Sequence, residues 1–347
     1  MTARHISWER RADESQETLE KWFWNNEASV YNPSYPWMAN RVEDPFHYWW
    51  QAHAVDVLVD GLERTGRDWY EGRIRQLVHG VIVSNQGSII NDYYDDMLWM
   101  ALALLRAYEI TDDKVYLGYS RVLWSDIQTG WNDHCGGGIA WRKMQLDYKN
   151  TPANGPAVIL ATRLYRMCGD EEDLEWALRI FRWLSEHLVD PDTGFVWDGM
   201  NRLQDGTIDK DWEYTYCQGV YIGAAQELYE VTHDEDYLQL AGRTADTAIK
   251  RLTNPVTGIL PAEGDSDGDC GLFKGIFIRY LTSLTVSYGK PIWREFLVKN
   301  GHSLLARSTS PEGWFGNSWE GPINRPVSLS VQLSGMMLLE SLARLYR

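Results

Sequence analysis

The sequence predicts an all-α fold, an (α/α)6 barrel in which six apolar helices are ringed by six amphipathic ones. Three observations carry this. A helix–turn–helix unit recurs along the chain, apolar and amphipathic helices alternate, and no period-two run competes as a strand-built core.

The unit is visible in LLRAYEITDDKVYL, ATRLYRMCGDEEDLEWA and AQELYEVTHDEDYLQLA: an apolar helix ends at a tyrosine, an acidic turn follows, and an amphipathic helix begins. The marking tyrosines are Tyr108, Tyr165, Tyr229, Tyr288 and Tyr346, spaced by 57, 64, 59 and 58 residues. The first amphipathic helix is expected over 15–26 and the first apolar one over 53–64. Pairs then alternate along the chain: 69–84 before 95–109, 113–128 before 152–166, 171–187 before 214–231, 235–251 before 272–287, and 291–307 before 327–346. In 171–187, Asp173, Leu174, Ala177, Leu178, Phe181 and Leu184 recur at three and four residues with charges between, as a helix with one buried face requires. The second members of the pairs are apolar nearly all round, which means burial. Short Gly-rich pieces such as GGGIAW and GFVWDG fit small strands in the loops.

The loops are of two kinds. Those leaving the apolar helices are short and acidic (TDDK, GDEED, THDED). Those leading into them are long and rich in Gly, Trp and Asn: GWNDHCGGGIAWRKMQLDYKN, DPDTGFVWDGMNRLQDGTIDKDWEY and NPVTGILPAEGDSDGDC. Elaborate aromatic loops gathered at one end are where a site belongs. A single catalytic domain over 1–347 is expected.

Composition narrows the ligand. The chain has 18 Trp and 19 Tyr against 8 Phe, an excess that suits surfaces stacking sugars as well as helix packing. A net charge of −16 argues against a nucleic-acid backbone or an anionic membrane as partner. Cys135, Cys168, Cys217 and Cys270 form no CxxC pair, and His47, His53 and His134 show neither HxH nor HExxH spacing. No metal and no cofactor are expected, and the histidines read as structural. The N-terminal stretch has no apolar core, and no 18-residue apolar run exists, so a cytoplasmic monomer is expected.

Asp95 and Asp96 stand side by side where NDYYDD runs into an apolar helix. Unpaired carboxylates are costly there, and such a pair can divide the roles of proton donor and nucleophile in sugar chemistry. Neighbours on a helix diverge by about 100°, yet a pair in the first turn can still flank a ligand crossing the mouth. Retaining glycosidases need carboxyls only about 5 Å apart, which adjacent residues can supply. The helix N-terminus favours charge on one acid, and like-charge repulsion keeps a proton on the other. The bland counterpart is Asp112–Asp113, in a polar turn before a surface helix, which reads as capping.

YYDDMLW (93–99) is followed in order by CGGGIAW (135–141), KN (149–150), DG (198–199), TYCQG (215–219) and FKGIF (273–277). This ordered set resembles glycoside hydrolase family 76, the endo-α-1,6-mannanases, over nearly the whole chain. The resemblance implies the (α/α)6 fold, retention of configuration, Asp95 as nucleophile and Asp96 as general acid/base. It also implies an α-mannan or mannooligosaccharide substrate. Trp141 is the candidate stacking platform, with Tyr94 and Tyr216 as further aromatic contacts. Asn150, Asp198, Gln218 and Lys274 are candidates to bind mannose hydroxyls, each equally suited to fixing a loop. Met100 and Cys217 stand where relatives often carry Trp and Asn. The missing export signal favours imported oligosaccharides over polymer. The rivals are an unsaturated-uronyl hydrolase or sugar epimerase on the same toroid, and a transglycosylating or silent glycan-binding protein.

Overall fold

A computed structural model describes residues 7–37, 46–264 and 268–347. Residues 1–6 of the N-terminal stretch, and 265–267 of the loop into the fifth apolar helix, lie outside the described residues. In chain order the helices are α1 (Trp8–Phe23), α2 (Tyr48–Thr65), α3 (Asp68–Ser84), α4 (Tyr94–Thr111), α5 (Lys114–Gln128) and α6 (Thr151–Cys168). They continue with α7 (Glu171–Leu188), α8 (Thr215–Thr232), α9 (Glu235–Leu252), α10 (Cys270–Tyr288), α11 (Pro291–Arg307) and α12 (Leu329–Leu345). Twelve helices among the described residues match the expected six and six. The largest boundary difference is α1, which begins at Trp8 because the Ser7 hydroxyl caps it by accepting from Arg10 N. The strands are short, two to six residues each: β1 (Trp24–Asn25), β2 (Val30–Tyr31), β3 (Ser34–Tyr35), β4 (Ala140–Arg142), β5 (Gln145–Asn150), β6 (Gly199–Met200) and β7 (Val327–Ser328).

The chain forms two compact units, residues 1–81 with 256–347, and residues 82–255. In the second unit α4, α6 and α8 are buried almost all round, whereas α9 buries one stripe of Ala241, Gly242, Thr244, Ala245 and Ala248. β4, β5 and β6 form an antiparallel sheet there, with Ala140 opposite Lys149 and Asn150 opposite Gly199. The Gly-rich pieces expected as strands therefore include β4 and β6.

The repeat has a physical cause. The C-caps Asp112, Gly169 and His233 are all left-handed, and their N–H groups donate to the carbonyls of Tyr108, Tyr165 and Tyr229 at 2.9, 2.7 and 2.8 Å. Each cap is followed at once by an aspartate, Asp113, Asp170 or Asp234, whose carboxylate accepts from the N–H two residues on and starts the next helix. Tyr108, Tyr165 and Tyr229 are thus each the residue four before a left-handed joint, whereas Tyr288 ends α10 beside Gly289 at φ −61° and Tyr346 is itself the C-cap of α12. Asp112→Asn is expected to change stability by less than about 0.5 kcal/mol, because asparagine tolerates that conformation, whereas Asp113→Ala should cost about 1 kcal/mol. Urea melts of the two variants check this, and a larger loss for Asp112→Asn would contradict it.

In the first unit His53 is buried on α2. Burial lowers its pKa from 6.5 to about 3, with Asp56 opposing. A histidine that stays neutral when folded but protonates when unfolded gives stability that is complete above about pH 6.5 and is lost as pH falls toward about 3. Replacing it by glutamine should flatten that loss by up to about 1.4 kcal/mol per pH unit. Equal slopes for both proteins in melts between about pH 6 and pH 4 would refute this.

Candidate active site

The tandem aspartates open α4. Tyr93 is its N-cap residue, and its N–H donates to Asn91 Oδ1 at 2.9 Å. Asp95 is 9% exposed and Asp96 is half-buried, so the neighbours occupy different environments. The Asp96 N–H donates to Asp95 Oδ1 at 3.0 Å. Amides of a helix's first turn have no partner within the helix, so this bond fills a vacancy and sets the Asp95 carboxylate against the positive helix end.

The β4–β5 hairpin is tied to this helix start. Lys143 N donates to Asp92 O at 2.9 Å, Tyr93 bridges Arg142, and Arg142 Nη1 donates to Tyr93 Oη at 3.1 Å. Trp141, half-buried, meets Tyr93 edge-on at 5.2 Å and Tyr148 at 5.8 Å. Tyr148 Oη donates to Asp198 Oδ2 at 3.2 Å, and Tyr216 Oη donates to Asp198 Oδ1 at 2.7 Å. Cys217, at the position where relatives often have Asn, adds its thiol to Asp198 Oδ1 at 3.5 Å. A run of contacts therefore leads from Tyr93, the N-cap of the helix that carries the aspartate pair, through Trp141 and Tyr148 to Asp198. Burial pushes the Asp198 carboxyl up, and these three donors oppose the shift.

Sequence reasoning misses Tyr148, whose signal is its two-residue spacing from Asn150 on β5, placing both on one face. Lys149, on the other face, is fully buried and donates to Gly138 O at 2.6 Å. Burial lowers it to about 8, opposed by Cys135 and Asp147. It anchors the Gly-rich loop, where Gly138 has a φ of +81° and an added Cβ would lie 2.8 Å from the Trp183 ring. Asn150 is 4% exposed, and its Oδ1 accepts nothing from the protein.

Other expected ligand contacts are engaged by the protein itself, because buried polar groups need partners. Tyr94 is buried with its ring over Gly130 and its hydroxyl 3.4 Å from Thr129 Oγ1, a packing position. Gln218 accepts from Val196 N at 2.9 Å and donates to Val196 O at 2.6 Å and Tyr214 O at 3.2 Å, so it fixes a loop. Asp198 and Tyr216 hold each other. Lys274 belongs to the other unit, where it is buried and donates to Pro261 O at 3.1 Å and to the Asn317 carbonyl. His47 stacks on Trp50 at 3.8 Å, and Met100 is buried in α4. Among the described residues no three His, Cys, Asp or Glu side chains form a group suited to a metal ion.

Comparison with known proteins identifies the scaffold. The model of glycosyl hydrolase family 76 matches residues 7–342. The solved Lin0763 protein of Listeria innocua is 40% identical, with a TM-score of 0.93 over 98% of both chains. An α-1,6-mannanase of Salegentibacter is 39% identical, with a TM-score of 0.91 over 97% of this chain and 99% of that one. An inactive variant of the Salegentibacter enzyme, with two consecutive aspartates replaced by alanine, is solved with α-1,6-mannotetrose (37% identical, TM-score 0.92, covering 98% and 100%). A mannan endo-1,6-α-mannosidase of Candida glabrata is 26% identical over 80% of this chain and 69% of its own. The fungal relatives are mannan endo-1,6-α-mannosidases, and they overturn the cytoplasmic placement read from the N-terminal composition. The argument against polymeric mannan, which leaned on that placement, falls with it. Among the described residues no helix is long and apolar enough to cross a membrane. The twelve alternating helices are those of the family's (α/α)6 barrel, as the repeat predicts. The chain is a glycoside hydrolase and belongs to glycosyl hydrolase family 76.

Proposed function

We propose that the chain is a retaining α-1,6-mannanase, a single catalytic domain that cleaves α-1,6-linked mannose with Asp95 as nucleophile and Asp96 as general acid/base. The observation that carries this is the unlike setting of two adjacent carboxylates in the first turn of α4. Asp95 is buried, accepts the Asp96 amide and faces the positive helix end, which favours its anion. Asp96 is the more exposed and is placed to exchange protons. The Salegentibacter mannanase variant that is inactive with two consecutive aspartates replaced, bound to α-1,6-mannotetrose, supports a tandem aspartate pair as the catalytic one.

Asp95 attacks the anomeric carbon as Asp96 protonates the departing O6, giving a β-mannosyl ester. Water, deprotonated by Asp96, then displaces Asp95 and releases the α-anomer. A sugar hydroxyl in place of that water would give transfer through the same ester. Trp141, half-buried with Tyr93 and Tyr148 edge-on to its ring, is the proposed stacking platform. Asn150 Oδ1, without a donor from the protein, is the proposed hydroxyl acceptor.

Proton NMR of the first-formed product from α-1,6-mannotetraose tests the reading, and the α-anomer is expected. An initial β-product would overturn retention and call for a more distant base, for which Asp198 is the first candidate.

A further inference from the structure

Among the described residues Trp69 is the one tryptophan left broadly exposed, at 46%, in the first turn of α3. Its indole is nonetheless held. Tyr70 meets it edge-on with ring centres 4.9 Å apart, and the Arg73 guanidinium lies 5.4 Å from its ring. Tyr70 is fixed in turn, buried against Gly61 of α2, where an added Cβ would lie 2.5 Å from the phenol ring. A stacking surface that is already ordered loses little entropy when a ligand settles on it.

Trp69 and Tyr70 line a groove of about 430 Å³ together with Glu17, Glu20 and Lys21 of α1. A second groove, of about 420 Å³, shares Glu17 and Lys21 and is lined further by Trp22. Both therefore open on the same exposed edge of α1. The lining combines an indole face, the exposed Glu17 carboxylate, which accepts from hydroxyls, and the Lys21 and Arg67 cations, which donate to them, while Asp13 and Glu20 are held by Arg64, Tyr31 and Arg73. A pyranose matches this set, with its C–H face on the ring and its hydroxyls replacing water bond for bond. A polyanion is disfavoured by the net charge of −16. An apolar protein partner would have to desolvate those charges without return.

We infer that this groove is a non-catalytic binding site for a neutral α-mannan chain, with Trp69 as its stacking platform; the identity of the sugar rests on the α-1,6-mannanase reading above. The site shares no residue with the Asp95–Asp96 centre. It holds polymer on the enzyme and so raises the local concentration of cleavable links.

The test is Trp69→Ala beside Trp69→Phe. In an Asp95→Asn/Asp96→Asn background, electrophoresis through a gel containing dissolved α-1,6-mannan should show the alanine variant bound about three- to tenfold more weakly, the range for losing one aromatic contact, with phenylalanine in between. In the active enzyme, KM for the polymer should rise by a similar factor while kcat/KM on α-1,6-mannotetraose and the melting temperature stay as in wild type. Equal retardation of Trp69→Ala and its parent would overturn the proposal, as would parallel losses on polymer and tetraose. A wild-type enzyme inactive on both substrates would remove the mannanase reading alone, because the gel comparison still decides the groove.

Discussion

Asp95→Asn and Asp96→Asn are each expected to lower turnover of α-1,6-mannotetraose by about a hundred- to ten-thousand-fold, with melting close to wild type. The fold should survive because an asparagine at 95 still offers an oxygen to the Asp96 N–H, now held at 3.0 Å. Only the charge needed for attack is removed. The two variants should differ in a telling way. Without Asp96, substrates with poor leaving groups should suffer far more than activated aryl mannosides, since only the former need protonation. Azide should partly rescue Asp96→Ala by trapping the ester as an α-mannosyl azide. Wild-type activity should follow a bell in pH on the acid side of neutrality, whose limbs belong to the coupled pair. Either single variant turning over near the wild-type rate, with unchanged melting, would remove the assignment.

The largest effect on stability is expected at Arg64. Its side chain is 3% exposed and donates to Glu340, 4% exposed, at 2.8 Å and to Asp13 at 2.8 Å, while Gln16 donates to Glu340 at 2.9 Å. Burial pushes the Glu340 carboxyl up, and its bonds to Arg64 and Gln16 oppose the shift. Arg64→Ala strands that carboxylate in the packing of α2 and α12 and should cost about 3–5 kcal/mol in urea unfolding. Replacing the couple together, as Arg64→Met with Glu340→Leu, should recover most of the loss, because no charge is then left buried without its counterpart. The exposed Arg10–Glu14 pair, 79% and 39% exposed, should be nearly silent when broken. An Arg64→Ala loss below about 1 kcal/mol would contradict this account.

The helices were legible because burial writes a period into the chain. α11 spans Pro291–Arg307 as expected, since a proline starts it and a charged last turn ends it. The acid pair stands out in the sequence for a related reason: two adjacent charges before an apolar run have few structural uses. Polar side chains with one partner among many were not. Gln218 and Lys274 carry the same donors whether they meet a sugar or a backbone carbonyl, and only tertiary contact reveals Val196 and Pro261 as their partners. Tyr94 adjoins the aspartates in sequence, while its ring turns toward Gly130. Tyr148 was invisible because its role depends on Asp198, fifty residues away.

The left-handed joints at Asp112, Gly169 and His233 separate what can vary in this scaffold from what cannot. Each joint spends two residues on turning the chain and satisfies its own amides and carbonyls locally, so it asks nothing of the loops at the opposite helix ends. A lineage, or an engineer, is then free to lengthen, shorten or exchange the segment from Thr129 to Asn150, or from Val189 to Tyr214, without re-aiming the helices that carry it. New linkage or chain-length preferences can be grafted there while the hinge chemistry is inherited unchanged.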